Sequence, residues 1–158
     1  KNRYVGRTFI MPGHQKRKQS VRQKLNAMST EFKNKNVLIV DDSIVRGTTS
    51  KQIVQMAKLA GANKVFFTSA APPVRFPHVY GINMPNRDEL IAHNRSIKEI
   101  AKNLEIDDLV YQSVSNLRDS ITSGSDITDL EMCCFTGKYV TGTVNEEYLS
   151  WIEAEYKS

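Results

Sequence analysis

The sequence predicts an α/β fold with a mainly parallel sheet flanked by helices, and three observations carry that prediction. Residues 36–41, NVLIVD, form a continuous apolar run rich in β-branched residues that ends on acid, the pattern of a strand buried on both faces of a parallel sheet. From about Ser50 to Ala60, the residues Ile53, Val54, Ala57 and Ala60 recur at the spacing of one helix face. Residues 64–69, KVFFTS, follow at once as a second buried strand, so 37–69 reads as a βαβ crossover.

The remaining elements follow in order. Lys1 to Phe32 is polar and basic, with Pro12-Gly13 and no sustained apolar period except near Val21, Leu25 and Met28. It reads as a long, mobile loop running into a short helix. Gly61 is placed to end the first long helix. Residues 71–85, APPVRFPHVYGINMP, contain four prolines and one glycine and read as an extended connection over the strand ends. Ser96 with Glu99 makes a capping-box pattern ahead of a helix to about Leu104. DLVYQ at 108–112 reads as a short strand, Ser115 as the cap of a helix toward Ile121, and 122–129, TSGSDITD, as a loop. A last helix is expected from about Asn145 to Tyr156, with Tyr148, Leu149 and Ile152 on one side. There are no internal repeats.

The 158 residues, 40% hydrophobic and 25% charged, suffice for one domain with a buried core. The net charge of +5 is local, because five basic side chains fall in residues 16–24, KRKQSVRQK. Such a run attracts nucleic acid, an acidic membrane face or a small polyanion such as a pyrophosphate ester, or it is a solvated face. It has no interleaved aromatics for stacking bases. Cys133 and Cys134 are adjacent, and sequence neighbours rarely reach unstrained disulfide geometry, so a reducing cytoplasm is expected. Apolar runs such as VLIV and VFF are far short of the roughly 20 residues that span a bilayer. The chain opens on KNRYVGRTF without an initiator Met and is read as a fragment of a longer protein.

The chemistry concentrates in residues 37–50, VLIVDDSIVRGTTS. A buried strand delivers Asp41 and Asp42 to the carboxyl edge of the sheet, where ligands of open α/β sheets bind. Gly47 lets backbone approach a phosphate, Ser43, Thr48 and Thr49 supply hydroxyl donors, and the helix beginning near Ser50 offers open N–H groups and its positive dipole end. Carboxylates repel a bare phosphate, so Asp41 and Asp42 are expected to face sugar hydroxyls or a magnesium ion. A phosphate loop and a diol or metal grip about one sugar apart describe a ribose 5-phosphate. Strand-end acids and Gly-Thr turns are also commonplace caps; the ordered set is what is specific.

Two acids and a loop ending Gly-Thr-Thr, after a four-residue apolar strand, resemble the motif of type I phosphoribosyltransferases that binds phosphoribosyl pyrophosphate (PRPP). VGRTFI, SVRQKLN, VLIVDDSIVRGTTS, PPVRFPHVYGINMP and ELIAHNR resemble, in order and spacing, the glutamine-dependent amidophosphoribosyltransferases, and the similarity runs through FTGKYVTG. The resemblance implies a partial type I phosphoribosyltransferase domain over 1–158. Its parts are a PRPP-closing loop at 1–25, the βαβ unit with the PRPP loop at 37–69 and a C-terminal extension at 122–158. Asp41 and Asp42 then hold the ribose hydroxyls and lie near Mg2+, while Ser43, Ile44, Val45, Arg46, Gly47, Thr48 and Thr49 wrap the 5-phosphate. Lys24, assisted by Arg7, brings positive charge to the pyrophosphate as the loop closes, which accounts for the basic run without nucleic acid or membrane.

The resemblance further implies ammonia made at a separate glutaminase site and an apolar passage to PRPP, for which Ile10 and Leu90 are candidates or else ordinary packing residues. Dimers or tetramers and inhibition by purine nucleotides are family properties. Members with an iron–sulfur cluster use separated cysteines, including a Cys-x-x-Cys before the FTG segment and a Cys within the PP-to-YGI connection. Glu131 and His78 stand at those two places, so no cluster is expected, and Cys133 and Cys134 read as packing residues and His78 as a loop histidine. The glutaminase domain and the upstream pyrophosphate-gripping loop have no counterpart in these residues, so activity of the piece alone is not expected. The rivals are a nucleobase-salvage phosphoribosyltransferase, for which no base-recognising hood is evident, and a non-catalytic PRPP-binding regulatory domain, against which Lys24 argues.

Overall fold

In the computed structural model of the protein, which describes residues 29–155 except Asn83 and Pro85, the strand expected at Asn36–Asp41 forms with those bounds (β1), as does Lys64–Ser69 (β2). A third strand, Asp108–Tyr111 (β3), completes one sheet in the order β1-β2-β3. Backbone bonds advance together along both partners. Asn63 donates to Lys35 near one end and Ala70 and Ala71 donate to Asp41 and Asp42 at the other, while Asp107 donates to Val65 and Gln112 to Ser69. That is parallel pairing, so the predicted α/β class with a parallel sheet is observed.

Burial of β1 on both faces is not. Leu38 and Val40 are 61% and 70% exposed, and the strand alternates exposed with half-buried residues. β1 is an edge strand, and among the described residues no layer covers its Leu38–Val40 face. Central β2 differs, burying Val65, Phe67 and Ser69.

A short helix, Ser29–Phe32 (α1), precedes β1. The crossover helix, Thr48–Leu59 (α2), begins two residues before the expected Ser50 and ends ahead of Gly61 as expected. Its apolar period starts only at Ile53, whereas its first turn is set by the backbone. Gly47 sits at φ 74 in the left-handed region as N-cap, and Lys51 N–H donates to its carbonyl at 2.8 Å. No side chain caps this end, so the N–H groups ahead of the first intrahelical bond are those of Thr48, Thr49 and Ser50.

Ile97–Leu104 (α3) turns Ile100 and Leu104 inward. Val114–Thr122 (α4) is capped by Ser113 rather than the expected Ser115, because the hydroxyl of Ser113 is the one that accepts the Asn116 N–H, at 3.0 Å. Cys133–Thr136 (α5) is too short to show a period in sequence. Glu146–Glu155 (α6) matches the last predicted helix, with Asn145 Oδ1 accepting the Tyr148 N–H at 2.9 Å.

The chain divides into two compact units. Among the described residues, one holds those up to Val40 with Gly47–Thr68 and Lys98–Leu109, and the other Asp41–Arg46, Ser69–Ile97 and those from Val110 onward. The first buries Val54, Ala57, Val65, Phe67, Ile100 and Leu104. The Asp107 carboxylate accepts the Val65 N–H at 2.8 Å, and Lys51 pairs with Glu105 at 3.2 Å.

In the second unit the proline-rich connection is irregular, as expected, and is fastened from the C-terminal side. Arg75 and Phe76 donate backbone N–H groups to the Cys134 carbonyl, and the Tyr139 hydroxyl donates to the Pro77 carbonyl at 3.0 Å. Gly137, at φ 71, closes α5, and a Cβ there would lie 2.9 Å from the Phe76 ring, so the FTG glycine meets both a backbone and a packing demand. A 3-10 turn at Arg87–Glu89, capped by Asn86, places Arg87 between Glu146 and Glu153 of α6 at 2.6 and 2.7 Å.

Candidate functional site

Asp41–Arg46 belongs to one unit, and Gly47 with the helix it opens belongs to the other. At the carboxyl end of β1, Asp41 is half-buried and Asp42 exposed. Asp42 N–H donates to Asp41 Oδ1 at 3.0 Å, and the Ser43 hydroxyl donates to Asp42 Oδ1 at 2.8 Å. Burial raises the Asp41 carboxyl above its ordinary value, the Asp42 N–H bond opposes this, and the neighbouring Asp42 charge adds to it. Two adjacent carboxylates, one partly desolvated, make a hard-oxygen pair that gains from a hydroxyl pair or a divalent cation of the magnesium type.

Beyond the acids, Ile44 is fully buried and Val45 packs against the cluster of Val74, Met84 and Leu90, together with Cys134 and Phe135. Their side chains pack inward, so what they chiefly offer a ligand is backbone. Arg46 Nε donates to the Glu89 carboxylate, and Val45 C=O accepts the Ile91 N–H at 2.9 Å. In the other unit, Gly47 is buried, Thr48 half-buried and Thr49 exposed at the N-terminus of α2. The structure thus puts every residue from Asp41 to Thr49 on one strand–loop–helix segment. Leu90, expected either to line a passage or to pack, belongs to the apolar cluster. Lys24, Arg7 and Ile10 lie outside the described residues. The tie from Glu89 to Arg46 had no signal in sequence beyond Glu89 opening ELIAHNR.

A second group of polar side chains lies apart from the motif. His78, Glu131 and Cys133 bring possible metal-ligating atoms within 4.8 Å of one another. Their hydrogen bonds account for the arrangement. His78 Nδ1 accepts the Tyr80 and Ile82 N–H groups at 3.3 and 3.4 Å, which leaves the ring proton on Nε2, facing Glu131 at 3.5 Å. Glu131 also accepts the Cys133 N–H at 2.7 Å.

Burial, followed by the hydrogen bond and charge of Glu131, pushes the Cys133 thiol up to about 12. Near pH ~8 it is therefore a neutral thiol and a poor nucleophile. Iodoacetamide is expected to spare Cys133 in the folded protein and to alkylate both cysteines after denaturation, read by peptide mass spectrometry. Alkylation of native Cys133 at the rate of a free thiol would show that this packing does not hold.

No protein-family profile matches the chain. Over 97% of its length it is 60% identical to an amidophosphoribosyltransferase of Pseudomonas aeruginosa and 55% identical to one of Escherichia coli, covering 31% and 30% of those proteins. The amidophosphoribosyltransferase of Saccharomyces cerevisiae is 53% identical over the whole chain. Among solved structures, glutamine PRPP amidotransferase from B. subtilis, complexed with ADP and GMP, superposes with a TM-score of 0.71 at 45% identity, over 89% of this chain and 31% of that one. The chain thus spans about a third of the length of the relatives it matches.

Proposed function

We infer that this chain, a segment homologous to the amidophosphoribosyltransferases, supplies the PRPP site of such an enzyme. The observation that carries the reading is the strand β1, which ends on Asp41 with Asp42 directly after it and passes through a tied loop into Gly47 and the uncapped first turn of α2. Carboxylates for the ribose hydroxyls are followed along the backbone by N–H donors for the 5-phosphate.

The intact enzyme would convert PRPP, glutamine and water to 5-phosphoribosylamine, pyrophosphate and glutamate, the first committed step of purine synthesis. Ammonia released from glutamine elsewhere in the polypeptide attacks the anomeric carbon as its bond to the pyrophosphate oxygen breaks, and the proton lost from nitrogen goes to solvent. Asp41 and Asp42 hold the ribose so that the face opposite the leaving group is open, while the backbone from Ser43 to Thr49 fixes the 5-phosphate. Mg2+, held with the help of the two carboxylates, would neutralise charge on the departing pyrophosphate. By their motif positions, Lys24 and Arg7 add positive charge from a closing loop at 1–25, and Ile10 is a candidate to line the ammonia passage, whereas Leu90 packs in the core cluster. Residues 122–158 form the C-terminal extension of the domain.

Purine nucleotides, of the kind in the B. subtilis complex, are proposed as inhibitors. The enzyme is proposed to be a cytoplasmic homo-oligomer, and no helix among the described residues is long and apolar enough to cross a membrane. With Glu131 and His78 in place of cysteines, the protein is expected to carry no iron–sulfur cluster. Iron and acid-labile sulfide assays on protein purified without oxygen check this, and a stoichiometric cluster would overturn it.

Calorimetric titration of the full-length protein with PRPP and magnesium tests the central reading. Saturable binding of PRPP, displaced by a 5-phosphoribosyl analogue, is expected. A folded protein that binds no PRPP sinks it.

A further inference from the structure

The one cation in the stretch Asp41–Thr49 is Arg46, and a phosphate-binding loop gives a free guanidinium an obvious partner. Here that guanidinium is already engaged. Arg46 Nε donates to the Glu89 carboxylate, and only 18% of its side chain is exposed. The neighbouring residues are tied to the same short segment by two other kinds of contact. Ile91 N–H donates to the Val45 carbonyl at 2.9 Å, and the Val45 side chain packs on the cluster containing Leu90. Just before them, Ile44 is 1% exposed. An ion pair, a backbone bond and an apolar contact thus join Val45 and Arg46 to residues 89–91.

The segment that supplies these contacts is itself held. Glu89 ends the 3-10 turn that Asn86 caps, and Arg87 of that turn pairs with Glu146 and Glu153. The loop is therefore shaped from outside its own motif, by a turn 43 residues further along the chain.

We propose that Glu89 is a positioning residue for the PRPP loop: it draws the Arg46 charge away from the 5-phosphate and holds Val45 and Arg46 so that the backbone ahead of Gly47 presents its N–H groups to the ligand. This rests on the PRPP-site reading above. Arg46 accordingly serves the loop through Glu89 rather than by gripping the phosphate itself. An unpaired Arg46 would be free to swing toward phosphate in a geometry that the loop is not built for, and an unpaired Glu89 would repel it.

The test is a charge-swap cycle in the full-length enzyme, with the PRPP dissociation constant and the split between KM for PRPP and kcat as readouts. Glu89→Ala and Arg46→Glu are each expected to weaken PRPP about tenfold or more, the size of a charge-assisted bond lost, mainly in KM. The doubly exchanged R46E/E89R protein is expected to recover to within a few-fold of wild type, because the pair is restored with its sense reversed. Glu89→Gln, which keeps the shape and one hydrogen bond, supplies the measurement if the alanine variant does not fold, and an intermediate loss is expected.

An exchanged protein as weak as R46E alone would show that Arg46 touches the phosphate directly and would overturn the proposal. So would E89A or E89Q with unchanged affinity. Wild-type protein that binds no PRPP would instead remove the reading on which the proposal rests, so the two failures are distinguishable.

Discussion

With Asp41 and Asp42 both replaced by Asn, the full-length protein is expected to bind PRPP with magnesium at least about a hundredfold more weakly than wild type. Each carboxylate stands to lose a charge-assisted bond, worth ~1.5–3 kcal/mol, and every ~1.4 kcal/mol is a factor of ten in affinity. Asn keeps the shape and one acceptor oxygen, so the loss reports charge rather than volume. Calorimetry on both proteins measures it, and affinities within about threefold of each other would show that the pair does not hold the sugar or its metal.

The same pair carries a stability signature of opposite sign. Burial raises the Asp41 carboxyl above its ordinary value of 3.8, so between that value and the higher native one the folded state holds a proton that the unfolded chain has released. The stability of the wild type therefore falls as pH rises through that window, and below it the penalty vanishes because both states are protonated. Asp41→Asn removes the ionisation. Its thermal midpoint without PRPP is expected to exceed that of the wild type by a margin that opens as pH rises above 3.8. A constant gap would show that the aspartate is not strained by desolvation.

Replacing Arg87 with Ala is expected to destabilise the fold by about 3 kcal/mol, the scale of removing one partner from a largely buried ion pair. Glu153 accepts from Arg87 Nε, from its NH2 group and from its backbone N–H, while Glu146 accepts from the NH1 group. The Arg87 and Glu153 side chains are only 19% and 17% exposed, so the alanine variant takes the guanidinium charge from a carboxylate that water reaches poorly and leaves it the residue-87 backbone N–H. The two carboxylates hold the guanidinium charge firmly, raising its proton affinity further. Urea unfolding gives the magnitude, and limited proteolysis should show α6 cleaved first. A change within about 0.5 kcal/mol would place the network among ordinary surface contacts.

Elements whose signal is periodic were legible from the residues alone. NVLIVD and KVFFTS announce β1 and β2 as apolar runs, although burial on both faces does not hold for β1, and the spacing of Ile53, Val54 and Ala57 announces α2, because burial on one side of a helix leaves its period in the sequence. Where backbone geometry outweighs pattern, the reading slipped. α2 starts at Thr48 because Gly47 turns the chain into it, two residues before Ser50 and well before any apolar repeat. Ser113 caps α4 because its hydroxyl reaches Asn116, although Ser115 is an equally good capping residue by type.

The sequence by itself determined the α/β class, the order of the strands and of the helices other than Cys133–Thr136, and the segment that carries the acids, the glycine and the threonines. Tertiary structure decided which strand face stays open, that Leu90 joins a core cluster, that Arg46 meets Glu89, and that Arg87 meets Glu146 and Glu153. These pairs lie 43, 59 and 66 residues apart. A charge leaves no mark in sequence of the distant charge it will neutralise, since that partner exists only once the chain has closed around both.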